Sequence, residues 1–169
     1  MKKYEEFINA LQYVDQGDNK SAYDKLTELI NDNLELENKT LYYDALYARA
    51  SLDIANLNLH IDDSIEDLKI LIANRTRYVK ESYSLATLVY DHLEMPDEVI
   101  EYGTKALELD APFTSEIAYA LAKAYASRGT KNSYLEALKY IDTCIDNADA
   151  SQLHKVTDII GRTAYKSNI

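Results

Sequence analysis

Tryptophan is absent from this chain, and cysteine occurs once, proline twice and glycine four times in 169 residues. One cysteine excludes a disulfide frame and a cysteine-rich metal site. So little glycine and proline disfavours a fold of many strands and tight turns and favours helix. No window approaches the roughly 18 uninterrupted apolar residues of a membrane-spanning helix. Basic charge is also short: the net charge is −11. That argues against nucleic acid, which needs a basic face, and against anionic membranes. The Met-Lys-Lys start leads into Tyr-Glu-Glu-Phe rather than an apolar run, so no secretory signal is expected and a reducing, cytoplasmic setting fits.

What is present is apolar volume and tyrosine. Hydrophobic residues make up 47% of the chain, and 15 tyrosines stand against two phenylalanines. Tyrosine suits half-buried positions, because its ring packs while its hydroxyl reaches a polar partner.

The clearest pattern runs from Phe113 to Cys144. Ala118, Leu121, Ala122 and Tyr125 fall on one face of a 3.6-residue period. Thr114 is placed to cap this helix, with Phe113 stapling onto Ala118, and Gly129 marks its stop. Ser133 and Glu136 have capping-box spacing before a second helix with Ala137, Leu138, Ile141, Cys144 and Ile145 on its apolar face. Ala122 and Ala137 are small enough for the two helices to approach closely, and Cys144 reads as a buried structural thiol.

Similar helix pairs are expected upstream, at 2–16 with 19–32, 40–58 with 63–74, and 77–93 with a helix opening at Pro96. Residues 31–39 read as a polar connector. Asp63 and Glu66 have capping-box-like spacing, and Arg49 and Asp53 are placed to pair across one helical turn. Pro96 suits the first turn of a helix, where Asp97 and Glu98 complement the dipole.

This pattern resembles the tetratricopeptide repeat, whose period is about 34 residues. The family's L-G-x-x-Y slots are occupied by Leu121-Ala122 with Tyr125 and by Leu85-Ala86 with Val89. Its A-x-x-x-F slots are occupied by Ala137 and Ile141, Ala22 and Leu26, and Ser64 and Leu68. Arg49 and Asp53 depart from the leucine and tyrosine of that pattern. Gly103 departs where a bulky apolar side chain is expected, which predicts a gap or filling by Tyr102. The resemblance implies one all-α domain, a right-handed α-α superhelix with repeats near 3–33, 40–74, 78–112 and 114–148. A capping helix at 151–166 would close it.

In such a stack the first helices line a groove. Aligning Ala10, Ala50, Ala86 and Ala122 places Phe7, Tyr47, Tyr83 and Tyr119 three residues earlier. Leu11, Ser51, Thr87 and Lys123 follow one residue later. With Asp44 and Tyr90, these are the expected peptide-binding residues. The aromatic row either grips a partner or packs between repeats. Asp44, Asp91 and Glu116 would bias a partner toward basic or neutral character.

Catalytic constellations are not legible. His60, His92 and His154 share no metal spacing, and the glycines form no phosphate-cradling loop. The reading is a non-enzymatic binder of a protein or peptide, without cofactor, nucleic acid or membrane as partner. A chaperone of a secreted client and a self-association module, such as a homodimer, are the alternatives. The chaperone-tail clamp of some family members is not expected, because Phe7, Leu11, Tyr47 and Ser51 occupy its slots.

Overall fold

The computed structural model of the chain describes residues 2–32 and 34–147. Among them every regular element is helical and no strand occurs. In order these are α1 (Lys2–Asp15), α2 (Asn19–Asn31), α3 (Leu34–Glu37), α4 (Lys39–Leu52), α5 (Ile61–Ala73), α6 (Val79–His92), α7 (Pro96–Glu108), α8 (Thr114–Ser127) and α9 (Lys131–Asn147). The expected capping helix at 151–166 lies outside the described residues. The chain divides into two compact units, Met1–Ser82 and Tyr83–Ile169.

Side-chain caps open α2, α4 and α9, and the sequence only partly announced them; α5, α7 and α8 start without one. Asp18 accepts from the Ser21 N–H at the start of α2, and Asn38 accepts from the Leu41 N–H at the start of α4, both at 3.1 Å. At α9 the capping box is real but shifted. Thr130 Oγ1 accepts from the Ser133 N–H, and Ser133 Oγ accepts from the Thr130 N–H, so Ser133 is the inner member and Glu136 instead pairs with Lys139. Phe113 does not staple α8. It sits in the left-handed region at φ 66° and is 48% exposed.

Four helix stops share one geometry. At Gly17, Arg75, Glu94 and Asp110 the chain turns left-handed, with φ of 78°, 48°, 57° and 50°. Each time the N–H of that residue reaches the carbonyl three back, and the next N–H reaches the carbonyl five back. Two orphan carbonyls are thereby satisfied at each stop. Of these Gly17 was the plain signal in the sequence, because Arg75 and Glu94 carry side chains that ordinarily avoid this conformation and Asp110 one that enters it only occasionally.

Two corrections concern the first unit. The connector contains a helical turn, α3, and its Leu34 is fully buried. The helix opening at 39 does not run evenly to 58. Its last turn, Asp53–Leu57, widens to π-helical and closes on left-handed Asn58, whose N–H reaches the Asp53 carbonyl at 2.7 Å.

In the first unit α1 packs on α2, α2 on α4 and α4 on α5. Ala10, Ala22, Leu26, Leu41, Ala45, Leu46, Ala50, Leu68 and Leu71 are buried between them. In the second unit α7 packs on α8 and α8 on α9. Ala122 and Ala137 are fully buried there, and Ala118, Ala122, Ile141 and Cys144 form one cluster. Each fully buried leucine contributes on the order of 2 kcal/mol.

The expected gap at Gly103 does not form, and Tyr102 does not fill it. Gly103 is buried against Leu121 of α8 and Thr87 of α6, while the Tyr102 ring lies against Tyr83 and Tyr90. The missing side chain lets the helices close in rather than leaving a void.

Candidate functional site

In the first unit, Tyr47 of α4 stacks on Tyr78, with ring centroids 4.2 Å apart and planes 7° from parallel. The Tyr78 hydroxyl donates to Asp44 Oδ1 at 2.9 Å, and Arg77 Nη2 donates to the same oxygen at 2.6 Å. The guanidinium also lies over the Tyr78 ring, 4.9 Å from its centroid. Tyr43 stands one helical turn before Tyr47 and is half-buried, as Tyr47 and Tyr78 are. Burial, and then the hydrogen bond to Asp44, push the Tyr78 hydroxyl above the usual tyrosine range, so it stays a neutral donor. The result is a half-exposed tyrosine and arginine surface whose side chains already hold one another. Sequence reasoning found Tyr47 and Asp44 and missed Tyr78 and Arg77. The available signal was an Arg-x-Arg-Tyr run in an acidic chain.

In the second unit, a cleft of about 400 Å³ opens between the α6–α7 turn and α8. Val99 and Ala124 are its buried apolar lining, with half-buried Met95 and Pro96 beside them. Lys123 Nζ meets the Asp91 oxygens at 2.8 and 2.9 Å on its rim, and Glu94 and Ser127 complete it. Lys123 alone among the expected groove residues lines this cleft.

The remaining expected residues are distributed differently. Phe7 and Leu11 are half-buried on α1. Tyr83 is half-buried and tilted against Tyr102, and Tyr119 packs onto the Ala118–Ala122–Ile141–Cys144 cluster. Ser51 has its hydroxyl oxygen buried with no hydrogen-bond partner among the described residues. Thr87 and Tyr90 do not lie on a surface and are corrected to core positions. Thr87 is fully buried with its hydroxyl donating to the Tyr83 carbonyl, and Tyr90 is buried against Tyr102. One residue after a small core alanine, a threonine can turn inward because its hydroxyl finds a carbonyl on its own helix.

The expected bias toward a basic partner also changes. Asp44 is engaged by Arg77, and Asp91 by Lys123, so neither carboxylate is a free charge. The expected Arg49–Asp53 pair is replaced as well. Arg49 bonds to Asp67 and Thr27. Asp53 is fully buried and accepts from the N–H groups of Leu59 and His60 and from the Ser64 hydroxyl. That triple acceptor, not the Asp63–Glu66 spacing, organises the start of α5.

Among the described residues, no group of three or more His, Cys, Asp and Glu side chains is placed to hold a metal ion. His60 stacks on Tyr23 at 4.3 Å. Cys144 is buried, with its sulfur 3.5 Å from the Ser115 hydroxyl. No helix among the described residues is long and apolar enough to cross a membrane. No family model, curated protein or solved structure gives a significant match to the chain.

Proposed function

We propose that the chain is a non-enzymatic, tetratricopeptide-like scaffold in the cytoplasm, binding a protein or peptide segment along a superhelix of helix pairs. The observation that carries this reading is the half-exposed Tyr47–Tyr78 stack with Arg77 and Asp44. Tyrosine and arginine dominate the energetics of protein interfaces, and side chains that already hold their conformation lose less freedom on binding. The sequential packing of helices within each unit supports the repeat reading. So does the burial of the small residues aligned with the family's slots, Ala10, Ala22, Ala50, Ser64, Ala86, Ala122 and Ala137.

The test is affinity capture with the full chain, followed by titration of the recovered partner against wild type and a Tyr47→Ser, Arg77→Ala variant. Affinity falls by about 30-fold if this surface is the hot spot, with helical content unchanged. Equal affinities overturn the assignment of the site. Solution scattering tests the superhelix, which requires an elongated, curved particle.

Self-association is the second reading. Tyr4 and Ile8, one turn apart on α1, are 51% and 52% exposed. Light scattering at two concentrations checks it: a constant monomer mass removes it.

A further inference from the structure

The cleft of the second unit has an apolar wall beside charged rim residues, and its unpaired charge has one sign. Half-buried Met95 and Pro96 supply the accessible apolar wall over a floor of buried Val99 and Ala124, and Met95 is adaptable. The volume of about 400 Å³ falls within the range of small-ligand sites and holds one leucine-sized side chain with adjoining backbone.

Of the charges around it, Asp91 is held by Lys123, and Asp97 by Arg128 at 2.6 Å. Glu94 is exposed, lines the cleft, and has no ion-pair partner among the described residues. It follows α6 in a left-handed turn, with its N–H fixed to the Asp91 carbonyl, so its backbone is anchored beside the opening. The Lys123 ammonium has three donors, and its contact with Asp91 leaves capacity for a peptide carbonyl.

We propose that this cleft captures an extended peptide segment carrying an aliphatic anchor next to a lysine or arginine. The anchor lies against Met95 and Pro96, and the cation pairs with Glu94. The net charge of −11 steers a cationic partner toward the chain and repels an acidic one. This inference names the partner chemistry of the scaffold reading and rests on it.

The experiment titrates the full ¹⁵N-labelled chain with acetyl-Ser-Lys-Leu-Lys-Ser-amide. Controls are the same peptide with glutamate for lysine and with serine for leucine. The basic peptide shifts amide signals of residues 91–99 and 123–127 with a Kd on the order of 1 mM, as expected for one anchor and one charge. Both controls lose that response. Glu94→Asn weakens binding about two- to fivefold, the scale of an exposed ion pair. Asparagine enters the left-handed region more easily than glutamate, so this variant retains the fold and its result reads charge alone. An absent shift at these residues, an equal response to the acidic peptide, or unchanged affinity in Glu94→Asn overturns the proposal. A partner captured through Tyr47 and Arg77 while the cleft ignores the basic peptide removes this inference alone. Peptide binding here with partner affinity unchanged in the Tyr47→Ser, Arg77→Ala variant removes the Tyr47–Arg77 site alone.

Discussion

Arg49 and Asp67 meet as a two-point ion pair inside the first unit. The guanidinium Nε donates to Asp67 Oδ2 at 2.8 Å, and Nη2 donates to Oδ1 at 2.7 Å. The two side chains are 11% and 2% exposed. This bond joins α4 to α5 at a helix contact where apolar side chains would otherwise meet.

Burial works against both charges. At Arg49 the bonds to Asp67 outweigh it and raise the guanidinium's pKa, whereas at Asp67 burial prevails and the carboxyl sits above the usual range. A carboxyl raised on folding favours the folded state below its unfolded value, and that contribution is lost as pH rises through the folded value. At neutral pH the pair is therefore a matched requirement rather than a source of stability. Arg49→Ala is expected to cost about 3–5 kcal/mol in urea unfolding, because it strands a buried carboxylate. The double replacement Arg49→Met with Asp67→Leu recovers most or all of the loss. A double variant as unstable as the single would contradict this account.

Gly103 predicts a second asymmetry. A Cβ built there would lie 3.1 Å from Leu121 Cδ2 and Cγ and from Thr87 Cγ2. Alanine gains roughly 1 kcal/mol of helix propensity over glycine, but overpacking costs about 1–3 kcal/mol. Gly103→Ala is thus expected to destabilise by about 1 kcal/mol on balance. Adding Thr87→Ser removes one of the contacted methyl groups while keeping the hydroxyl bond to Tyr83, and restores part of the loss. Thermal unfolding of the two variants checks this, and a more stable Gly103→Ala would show that the helices can separate freely.

Asp18 predicts a pH effect. Its hydrogen bonds with Ser21 hold the carboxyl below the usual carboxylate range. A carboxyl lowered on folding contributes stability above its unfolded value and loses it as pH falls through the folded value. Asp18→Ala should be less stable than wild type at neutral pH, and the two should converge in acid. A difference independent of pH would assign the effect to helix propensity instead of the cap.

Among the described residues, the longer helices, their order and the small residues between them were legible in the sequence; the short α3 was not. Period and caps act within a few residues, so Ala118 with Leu121, or Ala137 with Ile141, announces its helix face unaided. The left-handed stops at Arg75 and Glu94 were not legible, because tertiary and hydrogen-bond closure overrode a local preference that points the other way. The expected groove row was only partly informative. Equivalent slots hold Ser51, Thr87 and Lys123, and whether such a side chain faces solvent depends on what packs beside it.

Sequence by itself determined that the described residues form successive amphipathic helices, since periodicity and glycine scarcity are properties of the chain alone. Only tertiary structure decided that Arg49 reaches Asp67 rather than Asp53, that Tyr47 meets Tyr78, and that Gly103 closes a contact instead of opening a gap. Each is a meeting of side chains on different elements. Burial and geometry select among partners there, and no local spacing encodes that selection.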